Sequence, residues 1–139
     1  MSNGSPQVGY LLKQAQSLLH ARMEEALKPL ELTVSHYSCL FHLRLEPGIS
    51  ASELARRTFV TRQSMNVMLQ QLVDRGLVVR PESAGRALPA ELTADGSRSL
   101  DAAQVLVDAV EQRMLAGMSA GERSALGDGL ASVVRSLGG

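Results

Sequence analysis

A mainly α chain with one small β-hairpin wing is the fold class this sequence predicts, and three observations predict it. Apolar residues recur at helical spacing along extended stretches near both ends of the chain. Between them, residues 50–75 read as two short helices joined by a tight turn, a helix-turn-helix. A β-prone run, a turn-like stretch and a returning run then occupy residues 77–92. A length of 139 residues implies one domain, and 45% apolar residues suffice for a core. With two Phe, two Tyr and no Trp, that core must be built from Leu, Val, Ala and Met.

The first helix is expected over residues 8–28, where Val8, Leu11, Leu12, Ala15, Leu18, Leu19, Met23, Ala26 and Leu27 keep the i, i+3, i+4 rhythm. Pro29 closes it. Thr33 caps a second helix running to about Leu45, with Leu32 placed to staple Tyr37 across the first turn. Pro47 and Gly48 end it. Ser50-Ala51-Ser52-Glu53 has the capping-box pattern: the Ser50 hydroxyl accepts from the backbone N–H three residues on, and Glu53 reaches back. Leu54 and Ala55 supply the inward face of this short helix. The chain breaks at Thr58-Phe59-Val60 and restarts at Thr61, a good N-cap. The next helix runs from Arg62 to Arg75 and stops at Gly76, which suits a left-handed position, with Leu77 placed to touch Leu72. Leu77-Val78-Val79-Arg80 is the outgoing strand of the wing, Pro81 to Arg86 its turn, and Leu88 to Leu92 the return, with Arg86 near the tip. Pro89 lacks an N–H and belongs on an unpaired side or at a bulge. Thr93 caps a long helix with Asp95 in its positive first turn and a stripe of Leu100, Ala103, Leu106, Val107, Val110, Met114 and Leu115. Ser119-Ala120-Gly121-Glu122 is a second capping box, opening a last helix with Leu126, Leu130, Val133, Val134 and Leu137.

The helix from Arg62 carries the chemistry. At roughly 100° per residue, Met65, Met68, Leu69 and Leu72 share one arc. Arg62, Gln63, Asn66, Val67 and Gln70 share another, which holds almost no acid. These are the residue types that read base edges in the major groove: Arg pairs with guanine, Asn and Gln with adenine, and an exposed aliphatic touches a thymine methyl. Net charge over the whole chain is zero, which excludes a generally sticky polycation. Distribution matters more than the sum. From Gly48 to Ala90 there are six arginines against three acids, a local +3 balanced by −3 elsewhere. An arginine on a projecting hairpin, as Arg86 would be, suits the narrow minor groove.

The ordered runs Ser52-Glu53-Leu54-Ala55-Arg56-Arg57, Thr61-Arg62-Gln63-Ser64-Met65-Asn66, Leu72-Val73-Asp74-Arg75-Gly76-Leu77-Val78-Val79-Arg80 and Leu92-Thr93-Ala94-Asp95-Gly96 resemble the MarR family of bacterial transcriptional regulators. The helical flanks match too, so the resemblance covers nearly the whole chain. One departure stands out. The family wing often carries an Asp before its Arg, and here the matching positions are Ser83, Ala84 and Gly85. The resemblance implies a single domain over residues 1–139, in which a winged helix-turn-helix lobe (33–93) is flanked by dimerisation helices (8–32 and 94–139). Long apolar stripes at opposite ends of the chain point to the same homodimer. Its two recognition helices would meet successive major grooves roughly 34–36 Å apart, on an inverted repeat of double-stranded DNA. Arg62, Gln63, Asn66, Val67 and Gln70 would read bases. The helix N-terminus at Thr61 and Ser64 would hold a phosphate, Arg57 and Arg80 would take phosphates, and Arg86 the minor groove. Arg75 is as readily a solvated or dipole-pairing arginine. The resemblance further implies a repressor that responds to a small aromatic or phenolic effector lodged between the dimer helices and the DNA-binding lobe. Tyr10, His36 and Tyr37 are the candidates for lining that cleft.

No nucleophile–base signature, glycine-rich phosphate loop or paired-carboxylate motif is present, so an enzyme is not expected. No cofactor is expected either. His20, His36 and His42 lack metal-ligand spacing, so no metal site is expected. Cys39 has no flanking base to lower its pKa and reads as a buried inert thiol. Met1 to Pro6 is polar and does not read as a leader, and no run approaches the roughly 20 apolar residues of a membrane span; a cytoplasmic protein with no membrane partner is expected. Two other readings stay open: a winged helix that binds a partner protein instead of DNA, and a regulator that senses oxidants through Cys39.

Overall fold

The computed structural model describes residues 7–139. The stretch Met1 to Pro6, read above as lacking a leader, lies outside the described residues. Helix α1 spans Val8–Leu27 and runs into a 3-10 turn at Lys28–Leu30. Helices α2 (Val34–Leu45), α3 (Ala51–Arg57) and α4 (Arg62–Asp74) follow. Four two-residue strands come next: β1 (Val78–Val79), β2 (Glu82–Ser83), β3 (Arg86–Ala87) and β4 (Glu91–Leu92). Helices α5 (Ala94–Leu115) and α6 (Ala120–Ser136) complete the chain.

The expected caps form, with one correction. Thr33, Thr61, Thr93 and Ser119 each accept from the backbone N–H three residues on, as does Ser50. Ser50 makes only half a capping box. Glu53 does not reach back; its carboxylate holds Arg56 and, at 3.2 Å, Arg57. A guanidinium one turn ahead offers a charge-assisted bond, which outcompetes a neutral N–H.

Three helix stops share one geometry. Leu77 N–H donates to Leu72 O (3.0 Å) and Gly76 N–H to Val73 O (2.9 Å), the Schellman pair around a left-handed Gly76. Val60 N–H to Ala55 O (3.0 Å) and Phe59 N–H to Arg56 O (3.3 Å) repeat it around Phe59, at φ 61°. Leu32 N–H to Leu27 O (3.4 Å) and Glu31 N–H to Lys28 O (2.8 Å) repeat it around Glu31, at φ 55°.

The wing differs from one continuous hairpin. Strand β1 pairs antiparallel with β4 (Val78↔Leu92, Val79↔Glu91), and β2 with β3 (Glu82↔Ala87, Ser83↔Arg86). Between the ladders, residues 80–81 face residues 88–90, so the returning side carries one extra residue. Pro89 sits in that bulge, where no N–H is asked of it. Ala84 (φ 54°) and Gly85 (φ 76°) form the two-residue turn, left-handed at both positions as a tight hairpin requires.

The core lies where α2, α3, α4, β1 and α5 meet. Leu27, Leu40, Leu54, Met65, Leu69, Leu72, Val78 and Leu100 are fully buried, with Cys39 among them. Each buried Leu or Met contributes about 1.5–3 kcal/mol relative to exposure. Helix α5 packs along α1 and against α2. Its start rests on the stop of α4: Thr93 N–H donates to Leu77 O (3.1 Å) and Thr93 Oγ1 to Gly76 O (2.6 Å). The α1 stripe and the α6 stripe are largely uncovered. Val8, Leu11, Leu18, Leu126, Leu130, Val134 and Leu137 are all exposed.

Candidate nucleic-acid interface

Helix α4 has the two faces its periodicity predicts. Met65, Met68, Leu69 and Leu72 are buried against α2, α3 and β1, while Arg62, Gln63, Val67 and Gln70 are exposed and Asn66 is half-buried. Val67 keeps 56% of its surface in water, an apolar exception on a polar face. At the helix start, Thr61 Oγ1 accepts from Ser64 N–H (3.0 Å) and donates to Ser64 Oγ (3.0 Å), so both hydroxyls edge the positive end of α4.

The surrounding cations divide into free and engaged ones. Among the described residues, Arg62 and Arg86 meet no carboxylate. Arg86 stands on β3 directly after the Ala84–Gly85 turn, exposed at the wing tip. Arg57 is bound by two carboxylates, Glu46 at 2.7 Å and Glu53 at 3.2 Å. The Glu46 bond, then the Glu53 bond, raise its pKa further, and its charge is shared with them in this conformation. Arg80 leaves β1 and donates to Asn66 Oδ1 (3.1 Å) on α4. Gln70 donates its amide N–H to Asp74 Oδ1 (2.9 Å). Arg75, though exposed, does not work on its own helix end: its guanidinium donates to Glu31 O (2.5 Å) and Leu30 O (3.2 Å), tying α4 to the 3-10 turn. No sequence signal marked that role, because its partners are backbone carbonyls 44 and 45 residues away.

The three candidate effector residues are not brought together. His36 borders an open groove of about 860 Å³ between the start of α2 and α4, whose walls include Gln63, Val67, Gln71 and Arg75. Thr33 N–H donates to His36 Nδ1 (3.2 Å), so Nε2 carries the proton and donates to Gln71 Oε1 (3.0 Å). Tyr37 points inward instead; its hydroxyl donates to Gln104 Oε1 on α5 (3.0 Å), and burial raises its pKa. Tyr10 is exposed on α1, within the uncovered stripe. Gln71 was missed in the sequence because it lies on the shoulder between the two faces of α4.

Cys39 is buried, with its Sγ 3.9 Å from Met65 Sδ. Burial pushes the thiol up to about 12, so the thiolate that oxidants attack is not formed at neutral pH. Among the described residues no three His, Cys, Asp or Glu side chains converge as metal ligands. Among the described residues no helix is long and apolar enough to cross a membrane.

The sequence model of the MarR family matches residues 30–87, from the 3-10 turn to the wing. The HTH-type transcriptional repressor Rv2887 of Mycobacterium tuberculosis is 44% identical over 115 residues, which span 81% of this chain and 83% of that one. The crystal structure of that MarR family protein in complex with DNA superposes with a TM-score of 0.80 at 37% identity, over 93% of this chain and 98% of that one. The chain belongs to the MarR family. It is a winged helix-turn-helix transcriptional regulator, with α3 and α4 as the helix-turn-helix and β1–β4 as the wing. A second structure of the same mycobacterial MarR family protein, in complex with salicylic acid, superposes with a TM-score of 0.77 at 38% identity, over 96% of this chain and 99% of that one.

Proposed function

We propose that this MarR-family chain is a cytoplasmic homodimeric repressor that binds an inverted-repeat DNA duplex and is controlled by a small aromatic or phenolic acid. The observation that carries the reading is the outer face of α4. It presents Arg62, Gln63, Asn66, Val67 and Gln70, with a single acid, Asp74, at its C-terminal end bound to Gln70, and it begins at a helix N-terminus edged by Thr61 and Ser64. Arg86 at the wing tip extends that surface sideways to the adjacent minor groove. The terminal helices supply the dimer: α1 and α6 leave apolar stripes in water that a second copy would cover, carrying the two α4 helices to successive major grooves. Rv2887 crystallised with DNA and with salicylic acid supports both the duplex and the effector class.

The groove beside α4 fits that effector. Its volume lies within the usual range for small-ligand sites, and Arg75 and the His36–Gln71 pair supply polar anchors beside Val67 and Met68. A ligand seated there touches the recognition helix itself. By linkage, one that prefers the free conformation weakens DNA binding by the factor through which DNA weakens the ligand. Selection from random duplexes at two salt concentrations tests the reading. Recovery of one inverted repeat, bound less tightly at higher salt, is expected. Recovery of no specific sequence would overturn it.

A further inference from the structure

We infer that Arg80 is a specificity-determining positioning residue, which sets the polarity of Asn66 toward the base it reads. The inference rests on the DNA-reading role of α4 proposed above. Asn66 is half-buried on α4, one turn beyond Arg62, and Arg80 reaches it from the end of β1 at 3.1 Å. A guanidinium has only donors, so the amide atom facing it must be the oxygen. The two amide orientations are therefore not equivalent here: the bond holds Oδ1 toward the wing and leaves the Nδ2 donors on the outer side.

That polarity has a consequence for recognition. A freely rotating Asn offers a donor or an acceptor with equal ease. An Asn held by Arg80 leads with its donor, and so matches an acceptor at the groove edge: a purine N7, guanine O6 or thymine O4. It does not match the cytosine amino group. One turn further, Gln70 is held in the opposite sense. Its amide N–H is taken by Asp74 at 2.9 Å, which leaves Oε1 to accept, as adenine N6 or cytosine N4 requires. Donor at 66 and acceptor at 70 form a two-letter pattern along α4, written by partners that need not touch DNA.

A plain phosphate role for Arg80 predicts something different. Losing a phosphate contact weakens binding evenly across sequences and lowers the salt slope by about one. Losing an orienting bond leaves the salt slope intact and relaxes choice at one position in each half-site.

The experiment compares wild-type protein with Asn66→Ala, Arg80→Met and the double variant on every single-base variant of the selected repeat. Arg80→Met keeps the apolar stem that packs beside α4, and thermal unfolding monitors the fold. The expected result is that Arg80→Met and Asn66→Ala relax the same base pair, from about tenfold discrimination to threefold or less. The double variant should be no worse than Asn66→Ala alone. An even loss with a reduced salt slope in Arg80→Met, or discrimination unchanged in it while Asn66→Ala relaxes one position, would overturn the inference and leave the DNA reading standing. An Asn66→Ala protein with unchanged discrimination everywhere would instead remove Asn66 from the reading face, and the inference with it.

Discussion

Phe59 shows how much one residue can cost locally. It occupies a left-handed position at φ 61° while 94% of its surface lies in water, so no packing offsets the backbone strain. A side chain in that region costs about 1–2 kcal/mol, part of which glycine returns as chain entropy. Phe59→Gly is therefore expected to stabilise the protein by roughly 1 kcal/mol, a rise of about 3 °C in Tm; a fall in Tm would show that the ring has a packing partner. His42 sets an acid limit. Burial first, and the Arg57 charge second, lower its pKa from 6.5, and its Nδ1 is buried with no hydrogen-bond partner among the described residues. A lowered histidine pKa means that the unfolded chain takes up the proton more readily. The stability held by the neutral ring is thus intact above pH 6.5 and lost as pH falls below it toward the folded-state value. Urea unfolding between pH 7 and pH 5 (about the range in which histidine titrates) should show this decline. His42→Gln should flatten it.

At the scale of elements, the junction of α4, the wing and α5 leaves no room for a side chain at Gly96. Gly96 lies in the first turn of α5, buried, and a Cβ added there would stand 2.0 Å from Leu77 O. The obstacle is backbone, held in turn by the Thr93 N–H bond to the same oxygen. This close approach is the physical content of the Leu-Thr-x-x-Gly run that ends the wing. Gly96→Ala is expected to destabilise by about 1–3 kcal/mol or more, read as a lower urea midpoint. It should also weaken DNA binding, because the wing and α4 are joined at that point. Unchanged stability would mean that α5 shifts freely and that the close approach of Gly96 to Leu77 does not fix the junction.

At the scale of the whole molecule, the exposed stripes of α1 and α6 demand a covering. Leu126, Leu130 and Val134 recur at helical spacing on α6, each more than a third exposed, and α6 buries no residue within the single chain. The double substitution Leu126→Glu and Leu130→Glu is expected to turn a dimer into a monomer in light scattering. Affinity for the inverted repeat should fall toward that for a half-site, with helical circular dichroism from the DNA-binding lobe retained. A dimer that survives both charges would place the subunit interface elsewhere.

Much of this architecture was legible because its causes are local. Caps, the Gly76 stop and the division of α4 into a buried and an open face depend on residues within a turn or two of each other, and those residues are adjacent in the chain. The ordered motifs from Ser52 to Gly96 extended that reading to a family. The breaks at Pro29 and at Thr58-Phe59-Val60 were legible too, but the left-handed backbone at Glu31 and Phe59 was not, since neither side chain favours it. Nor were the attachments of Arg57, Arg75 and Arg80: an arginine's reach spans elements that folding brings together, and composition counts its charge without saying whether a carboxylate, a carbonyl or an amide receives it. Tyr37 and Tyr10 looked alike as aromatic candidates, yet one is buried against Gln104 and the other lies in the uncovered stripe. Local hydrogen bonding and hydrophobic period thus settled the elements and their faces. Which polar groups remain free to meet DNA was settled by contacts between segments tens of residues apart, where the long side chains find their partners.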